Sequence, residues 1–207
     1  LLRGLFQSQG ATEEEALALV DAVMDWKDAD TLKRQRGAED ADYETAGLKA
    51  RPANAAFQSV EELRQVMGMT PALYERVAPL VTIHSRQPGL NSQIASREAL
   101  RALPGVTEAQ LDEFLARREA ARVARLPIPV FASPYTNSFA NFNATQIRVV
   151  ATAGDGASFA REAIVQRLST IPKRTYTYLR WQEGRLDEPV QNAASAPNPP
   201  SPSLPKA

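Results

Sequence analysis

The residue types best suited to chemistry lie in two acidic stretches, Asp25-Trp26-Lys27-Asp28-Ala29-Asp30 and, after a short spacer, Gly37-Ala38-Glu39-Asp40-Ala41-Asp42-Tyr43. Carboxylates that bracket a loop are hard oxygen donors. Ca²⁺ takes about six to eight such oxygens in adaptable geometry, with backbone carbonyls completing the shell. The spacing is not that of an EF-hand, because Leu32 stands at the fifth position counted from Asp28, where a third Asx is needed. Spacing alone leaves two readings open: a loop fastened by calcium and a solvated acidic loop.

Other chemistries find little support. His84 is the only histidine, which excludes a His-rich zinc site, and any Ser-His-Asp triad would have to be built around it. Ser85 is merely adjacent and no G-x-S-x-G motif is present, so His84 reads as a surface or loop residue. Gly154-Asp155-Gly156 lies between two strand-like segments with no helix after it, which makes it a hairpin turn rather than a phosphate loop. There is no cysteine, hence no disulfide and no thiolate site. These features point away from an enzyme. The formal net charge of zero hides an asymmetry, with eleven acids against four bases in residues 12–44 and thirteen against twenty elsewhere.

The elements that must position the acidic stretches are legible from periodicity and caps. Thr12-Glu13-Glu14-Glu15 fits a capping box, and apolar residues with helical spacing follow as far as Trp26. From Lys27 to Gln58 the apolar period vanishes, which predicts a long loop that needs internal fastening to be ordered. Helices are expected over 60–67, 71–80, 97–103 and 108–125. Strands are expected over Thr145–Ala153, Ser158–Leu168 and Arg174–Trp181. No run of about 18 apolar residues exists, and Leu1 to Phe6 is too short for a signal or membrane helix. The divisions that follow are 1–126 helical, 127–186 β-rich, and 187–207 a Pro-rich tail expected to be disordered.

Residues 59–77 and 96–114 are two copies of one unit offset by 37 positions, each running from a Ser through a Gly to a Thr that can cap the next helix. Such helix-turn-helix units resemble helix-hairpin-helix modules, in which backbone N–H groups meet nucleic-acid phosphate. Here the second glycine is replaced by Thr70 and Thr107. The following helices carry Glu75, Glu108, Asp112 and Glu113, which would repel phosphate. A structural or protein-binding role is therefore preferred, with a nucleic-acid-binding helix-hairpin-helix protein as the alternative.

Taken in order, Asp25-Trp26-x-Asp28-x-Asp30, Gly37-Ala38-Glu39-Asp40-x-x-Tyr43 and Pro52-Ala53-Asn54-x-x-Phe57-x-Ser59-Val60-Glu61-Glu62-Leu63-x-x-Val66-x-Gly68-Met69-Thr70 resemble type II secretion system protein K, the large minor pseudopilin. The resemblance runs from about Val20 to Leu103. It implies an α+β fold: a pilin-like antiparallel sheet with a large inserted all-helical domain that contains the two helix-hairpin-helix or SAM-like repeats. The long N-terminal pilin helix that would cover the sheet is expected to precede Leu1.

The resemblance also implies structural Ca²⁺, one or two ions, with Asp28, Asp30, Glu39 and Asp40 as carboxylate ligands. Asp25 is the weaker candidate ligand, because its place also suits the end of the helix. The implied function is that of a non-enzymatic minor pseudopilin at the tip of the periplasmic pseudopilus, assisting protein export with the minor pseudopilins I and J as partners. The implied place is the periplasm, with anchorage in the bacterial inner membrane through a preceding segment.

Overall fold

The computed structural model describes residues 1–85, 89–137, 144–167, 175–184 and 186, so the 187–207 tail lies outside the described residues. The chain divides into two compact units, 1–141 and 142–207.

In the first unit, α1 (Leu2–Ser8) was not anticipated from the sequence, and it packs on α2 (Glu13–Lys27) through the buried Leu5 and Phe6. The capping box of α2 forms as expected: the Thr12 hydroxyl accepts the Glu15 N–H at 3.2 Å, and the Glu15 carboxylate accepts the Thr12 N–H at 2.8 Å. These bonds favour the ionised form and hold the Glu15 carboxyl below its usual range. Leu19, Val23 and Trp26 of α2 form the main core with Tyr43, Leu73, Tyr74 and Val77. A separate cluster of Leu100, Leu103, Leu111 and Phe114 is joined by Phe131, whose ring meets Phe114 edge-on at 5.2 Å.

The segment expected as a loop contains a short helix, α3 (Asp40–Thr45), whose buried Tyr43 anchors it to the core. The helix expected over 60–67 is a 3₁₀ segment, Val60–Gln65. Val60, Leu63 and Val66 recur every third residue, and a helix with about three residues per turn turns all three toward the main core. α4 (Pro71–Val77) gives way to a 3₁₀ turn at Ala78–Leu80, because Pro79 lacks the N–H that a further α-turn needs.

α5 (Arg97–Leu100) stops four residues before Pro104, and α6 (Glu108–Val123) is the last described helix. Both copies of the repeated unit halt at a glycine with positive φ, Gly68 at 85° and Gly105 at 73°. Both restart at a threonine that accepts an N–H three residues on, Thr70 from Leu73 and Thr107 from Gln110. Two residue pairs, β1 (Leu90–Asn91) and β2 (Thr136–Asn137), form a small parallel bridge.

The second unit carries a three-stranded antiparallel sheet, β3 (Thr145–Thr152), β4 (Ser158–Arg167) and β5 (Tyr176–Glu183), in the order β3-β4-β5. The turn at 153–157 closes with Gly156 at φ 88° and with Asp155 accepting the Ala157 N–H at 3.0 Å. Opposite Ile164 and Val165 the register slips, leaving Leu179 as the extra residue of a bulge. The bulge puts Trp181 on the same face as Tyr178 and Tyr176, although strict alternation would oppose them. That face is mostly apolar and open: Ile147, Val149, Phe159, Tyr176, Tyr178 and Trp181 are all exposed and help to line a shallow groove of about 670 Å³, with Arg161 over the Phe159 ring at 4.7 Å.

Candidate metal centre and its setting

The acidic loop is held against α2 before any ion is considered. Arg34 donates its backbone N–H to the Asp25 carboxylate at 3.2 Å, and Arg36 donates its own to Asp21 at 3.1 Å. Lys33 pairs with Asp42, which in turn accepts the Glu39 N–H at 2.9 Å. At the far end of the loop the Tyr43 hydroxyl accepts the Met67 N–H at 2.8 Å. Trp26 lies between the rings of Tyr43 and Phe57, at 6.1 and 6.3 Å, and donates its indole N–H to Glu62 at 3.4 Å. Trp26 and Tyr43, the aromatic residues of the acidic motifs, thus pin both ends of the acidic loop to the core.

Asp25, Asp28 and Glu39 each bring one carboxylate oxygen into a group whose members lie within 4.8 Å of one another. Asp25, the weaker candidate on sequence because it could end the helix, lies inside α2 and is fully buried, and the helix runs on to Lys27 with Asp28 as its C-terminal cap. Glu39 precedes α3 and is only 8% exposed. Asp28 is half-buried. Among the described residues, both Glu39 oxygens and Asp28 Oδ1 are buried without a hydrogen-bond partner.

Asp30 and Asp40 stand apart from this trio. Both are exposed, and Asp30 Oδ1 accepts the Leu32 N–H at 2.9 Å, while Asp40 occupies the first turn of α3. Of the four residues singled out from the sequence, the structure brings together Asp28 and Glu39, adds Asp25, and leaves Asp30 and Asp40 at the rim.

The electrostatics are those of like charges forced together. Burial raises the Glu39 carboxyl above its usual range, and repulsion from Asp25, Asp28, Asp30 and Asp40 raises it further. Burial likewise raises Asp25, and Asp28 adds to that, while N–H bonds from Arg34 and Ala38 and the Arg34 charge pull the other way. An unpartnered buried carboxylate costs free energy, and a cation reverses that sign. The donors fit calcium: all are carboxylate oxygens, none is His or Cys, and at Ca–O distances of about 2.3–2.6 Å three oxygens within 4.8 Å of each other can share one ion. One signal of this grouping was present in the sequence. Counted from Asp28, Glu39 is the twelfth residue, the place of the bidentate Glu in an EF-hand loop, even though Leu32 and Lys33 rule out that loop itself.

The repeated hairpins offer no comparable site. In the second copy Glu108 takes both available guanidinium groups, Arg97 at 2.6 Å and Arg101 at 2.8 Å, and Asp112 takes Arg97 again at 2.6 Å. These bonds pull the Glu108 carboxyl down to about 2. In the first copy Glu75 pairs with Arg64 at 2.8 Å. Arg64, Arg97 and Arg101 are thus engaged by acids, while Arg76 donates to the Gln9 carbonyl at 2.7 Å. His84 is half-buried, and its backbone N–H donates to the Thr82 hydroxyl at 3.1 Å.

The helical module thus carries the carboxylate trio, and the second unit carries the antiparallel sheet. Residues 1–86, which contain the whole acidic loop, match the family described as Type II secretion system (T2SS), protein K. The resemblance carried by the acidic and aromatic motifs is thereby shown. Type II secretion system protein K of Aeromonas hydrophila is 42% identical over 80 residues, covering 38% of this chain and 24% of that protein. The protein of the same description from Dickeya chrysanthemi is 37% identical over 83 residues, 40% of this chain and 22% of that protein.

The matched segments therefore span about a quarter or less of the length of these curated relatives. In fold, the chain is similar to a chain in the crystal structure of the GspK-GspI-GspJ complex from the enterotoxigenic Escherichia coli type 2 secretion system. The TM-score is 0.57 at 17% identity, over 89% of this chain and 69% of that one. The mixture of helices and a three-stranded antiparallel sheet is shared with that structure. Among the described residues no helix is long and apolar enough to cross a membrane.

Proposed function

We propose that this chain is the periplasmic part of a minor pseudopilin of the type II secretion system, placed at the tip of the pseudopilus with the minor pseudopilins I and J and assisting export across the outer membrane. The observation that carries the reading is that the stretch matching protein K is the one that builds the trio of buried Asp25 and Glu39 with half-buried Asp28. Its role is assembly rather than catalysis. Likeness to a chain solved as a K–I–J complex supports I and J as partners.

A helical part of about 120 residues is large for a subunit that must repeat along a filament, which suits a cap better than a repeating position. The sheet's open apolar face suits a pilin-type helix, and lateral contacts fall to that side because residues 12–44 are too charged to desolvate cheaply. Inner-membrane anchorage belongs to a prepilin-type segment. In this reading Ca²⁺ is a structural ion that fastens the loop, with Asp28 and Glu39 as ligands together with Asp25, and with Asp30 and Asp40 contributing from the rim.

Co-purification of the full chain with pseudopilins I and J of its own system tests the proposal. A stable ternary complex in size-exclusion chromatography is expected. No association with either partner, or salt-dependent binding to duplex DNA in its place, would sink it.

A further inference from the structure

Arg34 reaches into the carboxylate trio. Its Nε lies 3.3 Å from Asp25 Oδ1 and its Nη2 lies 3.5 Å from Asp28 Oδ2, so one guanidinium spans two of the three acids. Its backbone N–H bonds Asp25 separately, at 3.2 Å, which keeps the loop on α2 wherever the side chain goes. The side chain itself is 44% exposed, against 0% for Asp25 and 26% for Asp28. Glu39, the third acid, receives nothing from it, and its two oxygens stay buried without a partner. The neighbouring Lys33 is engaged by Asp42 instead.

We propose that the Arg34 side chain is a tethered competitor for the cation site, standing in for the ion across Asp25 and Asp28 and leaving for solvent when a divalent cation binds. The inference rests on the calcium reading above. A guanidinium can satisfy two carboxylates as a planar fork but carries one charge, so it answers only part of a site with three acids. A divalent ion answers more of that charge and can serve Glu39 as well. It cannot share the Asp25 and Asp28 oxygens with a guanidinium at the same positions, because the two cations repel. Arg34 loses little by leaving, since its charge is already half in water and the backbone bond to Asp25 remains. Two fastened states result, one closed by Arg34 and one by the ion, and the first raises the calcium concentration needed to reach the second.

Calorimetric titration of CaCl₂ into the chelator-treated full chain tests this on the wild type, Arg34→Gln and Lys33→Gln. Loss of a partly exposed ion pair makes calcium binding by Arg34→Gln about five- to tenfold tighter, with Lys33→Gln within about twofold of the wild type. Equal affinity in wild type and Arg34→Gln would overturn the competition and leave the calcium reading standing. A gain in Lys33→Gln as large as in Arg34→Gln would also overturn it, since general charge would then explain the effect. Heat-silent titrations of all three, with no metal retained, would end both readings.

If Arg34→Gln did not fold, the Arg34 Nε–H resonance of the wild type decides. Calcium is expected to accelerate its exchange with water, and an unmoved, equally protected resonance in protein saturated with calcium refutes the proposal.

Discussion

Gly37 lies so close against Asp25 that a Cβ at Gly37 would fall 1.8 Å from Asp25 Oδ2. The loop can bring its acids onto α2 only because this position has no side chain. Gly37→Ala must therefore push the loop away or turn the Asp25 carboxylate out of the trio. We expect a loss of about 1–3 kcal/mol in chelator, the usual range for a forced overpacking, and weaker calcium binding. Urea unfolding together with a calcium titration checks both.

Calcium should raise the thermal midpoint of the chain, and chelator should lower it. An ion that binds only the folded state at about 100 times its dissociation constant adds about 2.7 kcal/mol. Differential scanning calorimetry in excess CaCl₂ and then in chelator is the measurement. An unchanged midpoint, with no metal in the purified protein, would reduce the trio to a solvated acidic cluster.

Replacement of Glu39 by Gln should act in opposite directions in the two conditions. In chelator the wild-type carboxyl is raised above its ordinary value of 4.5, first by burial and then by its acidic neighbours. Its folded form therefore binds a proton more readily than its unfolded form. Stability from this group is full below the unfolded value and is lost as pH rises through the folded one. Asp25 shifts the same way. Glu39→Gln should then be about 1 kcal/mol more stable than wild type at neutral pH in chelator, with a flatter pH profile. In calcium it should be less stable, because a ligand is gone. Chemical unfolding at several pH values, with and without the ion, shows whether the sign reverses.

Tyr43→Phe removes the acceptor of the Met67 N–H while leaving the ring in the core. A buried N–H left without its partner costs about 1–3 kcal/mol. The loss should be seen equally with and without calcium, since Tyr43 bonds Met67 and packs in the core rather than joining the trio. A larger loss in calcium than in chelator would show that the hydroxyl helps to place the ligands.

Trp181→Ser on the sheet should weaken co-purification with pseudopilins I and J by about tenfold, in line with the loss of one large aromatic anchor. The charge reversals Glu13→Lys and Glu14→Lys on exposed α2 positions should leave it unchanged. The opposite pattern in quantitative pull-downs would place the interface on the acidic module.

Several features were readable from residues alone because their causes are local. The capping box at Thr12 and Glu15, the halts at Gly68 and Gly105, the caps at Thr70 and Thr107 and the hairpin at Gly156 each depend on residues no more than a few positions apart. The acidic and aromatic motifs carried the resemblance to protein K for the same reason, since their order along the chain is itself the signal.

Other features waited on the fold because their causes are distant in sequence. A segment rich in Asp and poor in apolar period looked like loop throughout, yet α3 forms because Tyr43 finds Trp26 and Met67 across the core. The 3₁₀ form of 60–65 follows from which side of the segment meets that core. The bulge at Leu179 decided which face Trp181 shares, where alternation alone would have placed it opposite Tyr178.

Composition and spacing by themselves marked the acidic stretches as a loop fastened by calcium or simply solvated, and offered a single histidine, His84, with no nucleophile motif beside it. Only the tertiary structure decided that Asp25 joins Asp28 and Glu39 while Asp30 and Asp40 stay at the rim. Which carboxylates converge depends on the turn of α2 that buries Asp25 and on the loop that returns over Gly37. Burial, unlike charge, is not written in any one residue.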